Sequence, residues 1–171
     1  MKTDFDEIYQ LHWREVFRYL RRQTGSRVEA EDILQETFLK LHVYLASEPA
    51  MSAISNLRAW LFRVATNLVR DRRRNKIRAL QREEKHTLLP GVVDFHLKLE
   101  RQQLVRRALQ QLSPQMRQVL LLANEGFSYR EISSITGIAT TYVGVLLQRG
   151  RAAFKEHYQK QHERKHATND G

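Results

Sequence analysis

Nine consecutive residues, Arg70 to Arg78, carry six basic side chains and one acidic one. Guanidinium and ammonium groups at that density are suited to neutralising phosphate. A helix that only had to stay dissolved would mix its signs, so a polyanion is the expected ligand, with an unliganded Arg-rich surface as the plain alternative. Just upstream, Arg63, Asn67, Arg70 and Arg74 recur at three- and four-residue intervals, whereas Trp60, Leu61, Val64, Ala65 and Leu68 form an apolar stripe at the same period. One helix from Asn56 to Lys76 can therefore close a core with one side and meet nucleic acid with the other.

A second constellation runs from Ser128 to Phe154, SYREISSITGIATTYVGVLLQRGRAAF. A short helix, Gly137 at a tight turn and a second helix turning Val143, Leu147 and Phe154 inward have helix-turn-helix spacing. Such a unit lays its second helix in a major groove, with Thr140 and Thr141 at the amino end able to meet phosphate. An ordinary helical hairpin is the alternative. The stretch EAEDILQETFLKLHVYL has the opposite character, with Glu29, Glu31, Asp32 and Glu36 beside Phe38 and Leu39, which read as exposed. An acidic patch on a basic chain repels DNA and so suggests a protein partner, or else only a solvated helix start favoured by the dipole.

HERKH, from His162 to His166, matches the H-E-x-x-H pattern of zinc hydrolases. Its flanks, QKQ and ATNDG, offer no apolar face to hold the ligands and no third ligand, so a charged tail is the expectation. Neither a metal nor a cofactor is expected, and no Ser-His-Asp arrangement or Gly-rich phosphate loop can be read.

The elements that must position these groups are all helical. From Phe5 to Leu45 apolar residues recur at helical intervals, interrupted by Gly25-Ser26, and Pro49 and two serines mark a loop from Glu48 to Ser55 before a cap at Asn56. Pro90-Gly91 lies in a charged, aperiodic linker. Beyond it Ser113-Pro114 starts one helix and Gly126 ends it, with further helices over 128–136 and from Thr140 to about Tyr158. A chain of 171 residues and net charge +10 without cysteine fits small helical domains and excludes disulfides and thiolate chemistry. The N-terminus lacks a signal peptide's apolar core and no apolar run could span a bilayer, so an intracellular, soluble chain is expected.

In order and spacing, three blocks resemble the extracytoplasmic-function (group 4, sigma-70 superfamily) sigma factors of bacterial RNA polymerase. They are FDEIYQLHWREVFRYLRRQTG with AEDILQETFLKLH, then NLRAWLFRVATNLVRDRRR, then LQQLSPQMRQVLLLANEGFSYREISSITGIATTYVGVLLQRGRAAF. The resemblance implies an all-α fold of two small domains, region 2 at 1–80 and region 4 at 99–160, with a linker at 81–98 and a charged tail at 161–171. It implies docking on the polymerase clamp by Asp32, Gln35, Glu36, Phe38 and Leu39. Contact with the −10 element is implied for Asn56, Arg58, Trp60, Arg63, Asn67, Arg70, Arg72, Arg73 and Arg74, with an unstacked base captured near Ala53 to Asn56. Contact with the −35 element is implied for Thr140, Thr141, Gly144, Val145, Gln148, Arg149 and Arg151, and region 4 would also touch the polymerase flap. The implied partners are core RNA polymerase, promoter DNA and an anti-sigma factor in the cytoplasm, without membrane insertion.

The chain departs from that family at one place. Where a Lys-Ser-Arg-like triplet usually follows the first Val of the recognition helix, it has Gly144, Val145 and Leu146. Bidentate base readout by a long cation is missing there, Arg149 and Arg151 suit phosphate, and shallow −35 discrimination is expected. Two rivals are a free-standing helix-turn-helix repressor, which needs neither the acidic block nor the Trp60 helix, and an enzyme built on His162 and His166.

Overall fold

The computed structural model describes residues 5–47, 55–82 and 98–169. The elements in order are α1 (Phe5–Thr24), α2 (Arg27–Ser47), α3 (Leu57–Arg82), α4 (Lys98–Gln111), α5 (Pro114–Asn124), α6 (Tyr129–Thr136) and α7 (Thr140–Asn169), and no strand occurs among the described residues. The expected all-α class is the observed one. The chain divides into two compact units, one over residues 1–90 and the other built on 91–133 and 137–171.

In the first unit α1, α2 and α3 pack pairwise. Asp6 and Glu7 stand in the first turn of α1 and Arg21 and Arg22 in its last, each sign matched to the helix dipole. Gly25, at φ 74°, turns the chain, and the Ser26 hydroxyl accepts the Glu29 amide at 3.3 Å to open α2. The core joins Ile8, Val16, Tyr19 and Leu20 of α1 to Ala30, Ile33, Phe38 and Leu41 of α2 and Leu61, Phe62 and Ala65 of α3. Fully burying a side chain of the larger kinds contributes about 1.5–3 kcal/mol. At its centre the Tyr19 hydroxyl meets Thr66 Oγ1 at 2.7 Å, and Gln23 Nε2 donates to Tyr19 Oη at 3.3 Å. The Tyr19 and Phe62 rings lie 5.1 Å apart.

The core side of α3 is therefore Leu61, Phe62, Ala65 and Thr66, rotated from the stripe read in the sequence; Trp60, Val64 and Leu68 are half-buried at its margin. Trp60 packs on Tyr44 of α2, rings 5.6 Å apart. Asn56 caps α3 as expected, its Oδ1 accepting the Ala59 amide at 2.9 Å. Residues 48–54, which include Ala53, and the linker core 83–97 lie outside the described residues.

In the second unit α7 packs against both α4 and α5. Ser113 caps α5 through the Met116 amide, with Pro114 in the first turn. Arg117 closes the preceding helix, its guanidinium donating to the carbonyls of Leu109, Gln110 and Leu112 at 2.8–3.1 Å and to Gln110 Oε1 at 2.7 Å. Those carbonyls are the ones a helix end leaves without intrahelical partners. Ser128 and Glu131 form a reciprocal capping box at the start of α6, and Gly137 at φ 75° ends it in the left-handed conformation. The expected end of the last helix near Tyr158 is corrected: α7 continues through Asn169. A Lys160–Glu156 pair at 2.6 Å has the i,i+4 spacing that supports an exposed helix.

Candidate nucleic-acid and protein interfaces

On the first unit the acidic block of α2 resolves into two sides. Asp32, Gln35 and Leu39 are exposed and Glu36 is half-buried. Leu39 is 61% exposed, and Val28 and Val43 extend the same line at four-residue spacing, at 68% and 58%. Val28, Asp32, Gln35, Leu39 and Val43 thus form one stripe of apolar and acidic character. Val28 and Val43 escaped the sequence reading, although their spacing from Asp32 and Leu39 was there to be used. The expectation that Phe38 is exposed is corrected. Phe38 is 3% exposed and makes edge contacts with Tyr9 and Phe5, centroids 4.8 and 6.4 Å away, because one residue's step along α2 turns a side chain about 100° into the core. It supports the stripe from beneath.

Along α3, Arg63, Arg70, Arg73 and Arg74 are exposed and Asn67 is half-buried. Asn67 Oδ1 accepts from Arg70 Nη2 at 2.9 Å, and Asp71 pairs with Arg74 at 2.7 Å. Two cations expected on this side lie elsewhere. Arg58 donates to Glu15 Oε2 at 2.9 Å and sits 5.3 Å over the Phe62 ring, in the joint between α1 and α3. Arg72 turns towards α2, its guanidinium 3.7 Å from Asp32 and 3.4 Å from Glu36. The acidic and basic helices are thereby joined at one point, while the remaining arginines face outward.

On the second unit α7 is sharply two-sided. Val143, Leu146, Leu147 and Gly150 are buried; Thr140, Thr141, Tyr142, Val145, Gln148, Arg149 and Arg151 are exposed. Leu146 is 2% exposed, so of the departing triplet only Val145, 37% exposed, reaches the outer face. A Cβ at Gly144 would lie 3.4 Å from Tyr129 Cε2, so the glycine lets that ring close on the helix. At Gly150 a Cβ would lie 3.4 Å from the Met116 carbonyl oxygen, which ties α7 to α5 at a position the sequence reading passed over. The first two turns of α7 therefore offer a mixed apolar and hydroxyl surface, with Gln148 and the cations further along.

Of the histidine pattern, the His166 side chain lies outside the described residues. His162 stacks in a row with Tyr158 and Phe154, centroids 6.4 and 6.0 Å apart, and among the described residues no three His, Cys, Asp or Glu side chains converge to hold a metal.

Comparison with known proteins matches both units. Sigma-70 region 2 matches residues 8–79, and Sigma-70 region 4 matches 102–154. The chain is 30% identical to the ECF RNA polymerase sigma factor SigE of Mycolicibacterium smegmatis over 91% of its length, spanning 62% of that protein. It is 28% identical to the ECF sigma factor SigM of Bacillus subtilis, covering 91% of this chain and 95% of SigM. Among solved structures, the sigma factor RpoE of Bartonella quintana, crystallised with the anti-sigma factor NepR, superposes with a TM-score of 0.78 at 25% identity, over 91% of this chain and 97% of that one. With both sigma regions in order, each carried by its own helical unit, the chain belongs to the ECF sigma factors of the sigma-70 superfamily.

Proposed function

We propose that this chain binds core RNA polymerase and directs it to promoters, the first unit docking on the polymerase clamp and meeting the −10 element, the second meeting the −35 element and the flap. The observation that carries the reading is the division of labour within the first unit. An exposed line of Val28, Asp32, Gln35, Leu39 and Val43 on α2 suits a basic and apolar protein surface, while Arg63, Arg70, Arg73 and Arg74 on α3 suit phosphate. A free-standing repressor has no use for the first of these surfaces. Arg58 and Arg72 act within the unit, holding the helices that carry the two surfaces, and Phe38 acts as packing under the docking line.

Chemistry is not part of this role: a sigma factor is an initiation factor, and catalysis belongs to the polymerase. The Bartonella relative was solved bound to an anti-sigma factor, and control of this chain by such a protein in the cytoplasm follows the same pattern. No described helix is long and apolar enough to cross a membrane. In vitro transcription from a promoter library, with core polymerase alone and with this chain added, tests the reading. Initiation at discrete sites only when the chain is present is expected; identical transcripts in both reactions would refute it.

A further inference from the structure

The outer face at the start of α7 runs through Thr141, Val145 and Gln148, spaced four and three residues apart, with Val145 at its middle. Tyr142 and Tyr129, 44% and 48% exposed, are the other large apolar groups exposed near this end. Residues 140–155 include no acid, and Arg149 and Arg151 are exposed along the same helix. A helix of this kind enters a major groove with its amino-terminal turns against base edges. There the one apolar group a base presents is the C5-methyl of thymine. The serine that the usual triplet sets at position 145 would hydrate that spot; valine leaves it ready to exclude water.

We propose that Val145 is a specificity-determining residue that reads a thymine C5-methyl in the −35 duplex. The proposal rests on the placement of the second unit at the −35 element given above. The cationic, acid-free surroundings favour duplex DNA over an acidic-cored or apolar protein partner as the occupant of this face. It also gives the shallow discrimination a cause: a single methyl contact is worth only about a threefold to fourfold preference, the value of one buried methylene-sized group.

The test uses the full chain with core polymerase and a pool of promoter duplexes whose −35 block is randomised over ten base pairs. Sequences retained by the holoenzyme are resynthesised with deoxyuridine in place of each thymidine, which removes the methyl and nothing else. Retained sequences sharing a thymine at one fixed position, with a threefold to fourfold loss of binding when that base is deoxyuridine, are expected. Val145→Ala, checked for helicity by circular dichroism, should bind the two duplexes alike, whereas Val145→Thr, which keeps one methyl, should preserve part of the difference. Enrichment without any thymine dependence, or a dependence unchanged in Val145→Ala, would overturn the assignment of Val145 while leaving −35 binding in place. Failure of the holoenzyme to enrich any −35 block would overturn the placement of the second unit, and the Val145 assignment with it.

Discussion

At the residue scale, the Arg72 guanidinium sits between Asp32 and Glu36 at 3.7 and 3.4 Å, partly open to water on all three side chains. A pair so exposed contributes only about 0–1 kcal/mol to stability, so its carboxylates remain available to a competing cation on a partner. Reversing both charges to lysine would set three cations together and confuse docking with local repulsion. Leu39→Asp is the cleaner probe. At 61% exposed Leu39 supports little of the fold, so the variant should melt with the parent chain but retain core polymerase at least about tenfold more weakly in a pull-down titration. Parent-like retention would remove α2 from the docking surface. The buried Tyr19 hydroxyl behaves in the opposite way: Tyr19→Phe removes one hydrogen bond from each of Thr66 and Gln23 and should cost about 1 kcal/mol in urea unfolding, without direct effect on DNA contacts. Phe38 and Leu39 show where sequence legibility ends at this scale. Both are large and apolar beside acids, and only the contacts of Phe5 and Tyr9, distant in the chain, decide which one turns inward.

At the scale of elements, the signals that could be read were local ones. Asn56, Ser113-Pro114, Ser128 with Glu131, and Gly137 each announce a helix end through a hydrogen bond made within four residues, and each makes it. The extension of α7 to Asn169 was not legible, because the polar residues beyond Tyr158 show no apolar period. The same limit hid the role of Arg117, which looks like one more surface cation in a basic chain. Four of its hydrogen bonds go to the end of α4 and the turn that follows, an arrangement that needs α5 folded back beside that turn. Arg117→Ala should therefore lower the stability of the second unit by about 2 kcal/mol, within the range for a hydrogen bond to a charged group. Arg149→Ala, on an exposed part of α7, should leave stability unchanged and reduce the salt dependence of DNA binding by about one ion. Chemical denaturation of the two variants, followed by a salt titration of duplex binding, separates the two kinds of arginine.

For the whole molecule, two helical units on one chain were legible because each has its own periodic blocks and the stretch between them loses its period. The first unit's two faces were legible as opposite charges on neighbouring helices; that Arg72 and Arg58 lie inside the unit was not, since their partners Asp32, Glu36 and Glu15 are distant in sequence. What the two units can accomplish without polymerase is set by energy. Opening ten base-pair steps costs roughly 14 kcal/mol at about 1.4 kcal/mol each. Capturing two unstacked bases on protein surfaces returns only about 2–6 kcal/mol. The exposed arginines of α3 strengthen binding to duplex and single strand alike through phosphate, so they narrow that gap little. The free chain should therefore bind promoter duplex weakly and leave it closed, with core polymerase supplying the remainder. Permanganate, which oxidises unstacked thymines, reads this directly: a promoter enriched by the holoenzyme should show no reactive thymines with the chain alone and a reactive tract around −10 when core polymerase is added. Reactivity with the chain alone would mean that its own surfaces return more than about twice the stacking energy estimated here, and that α3 opens DNA without help.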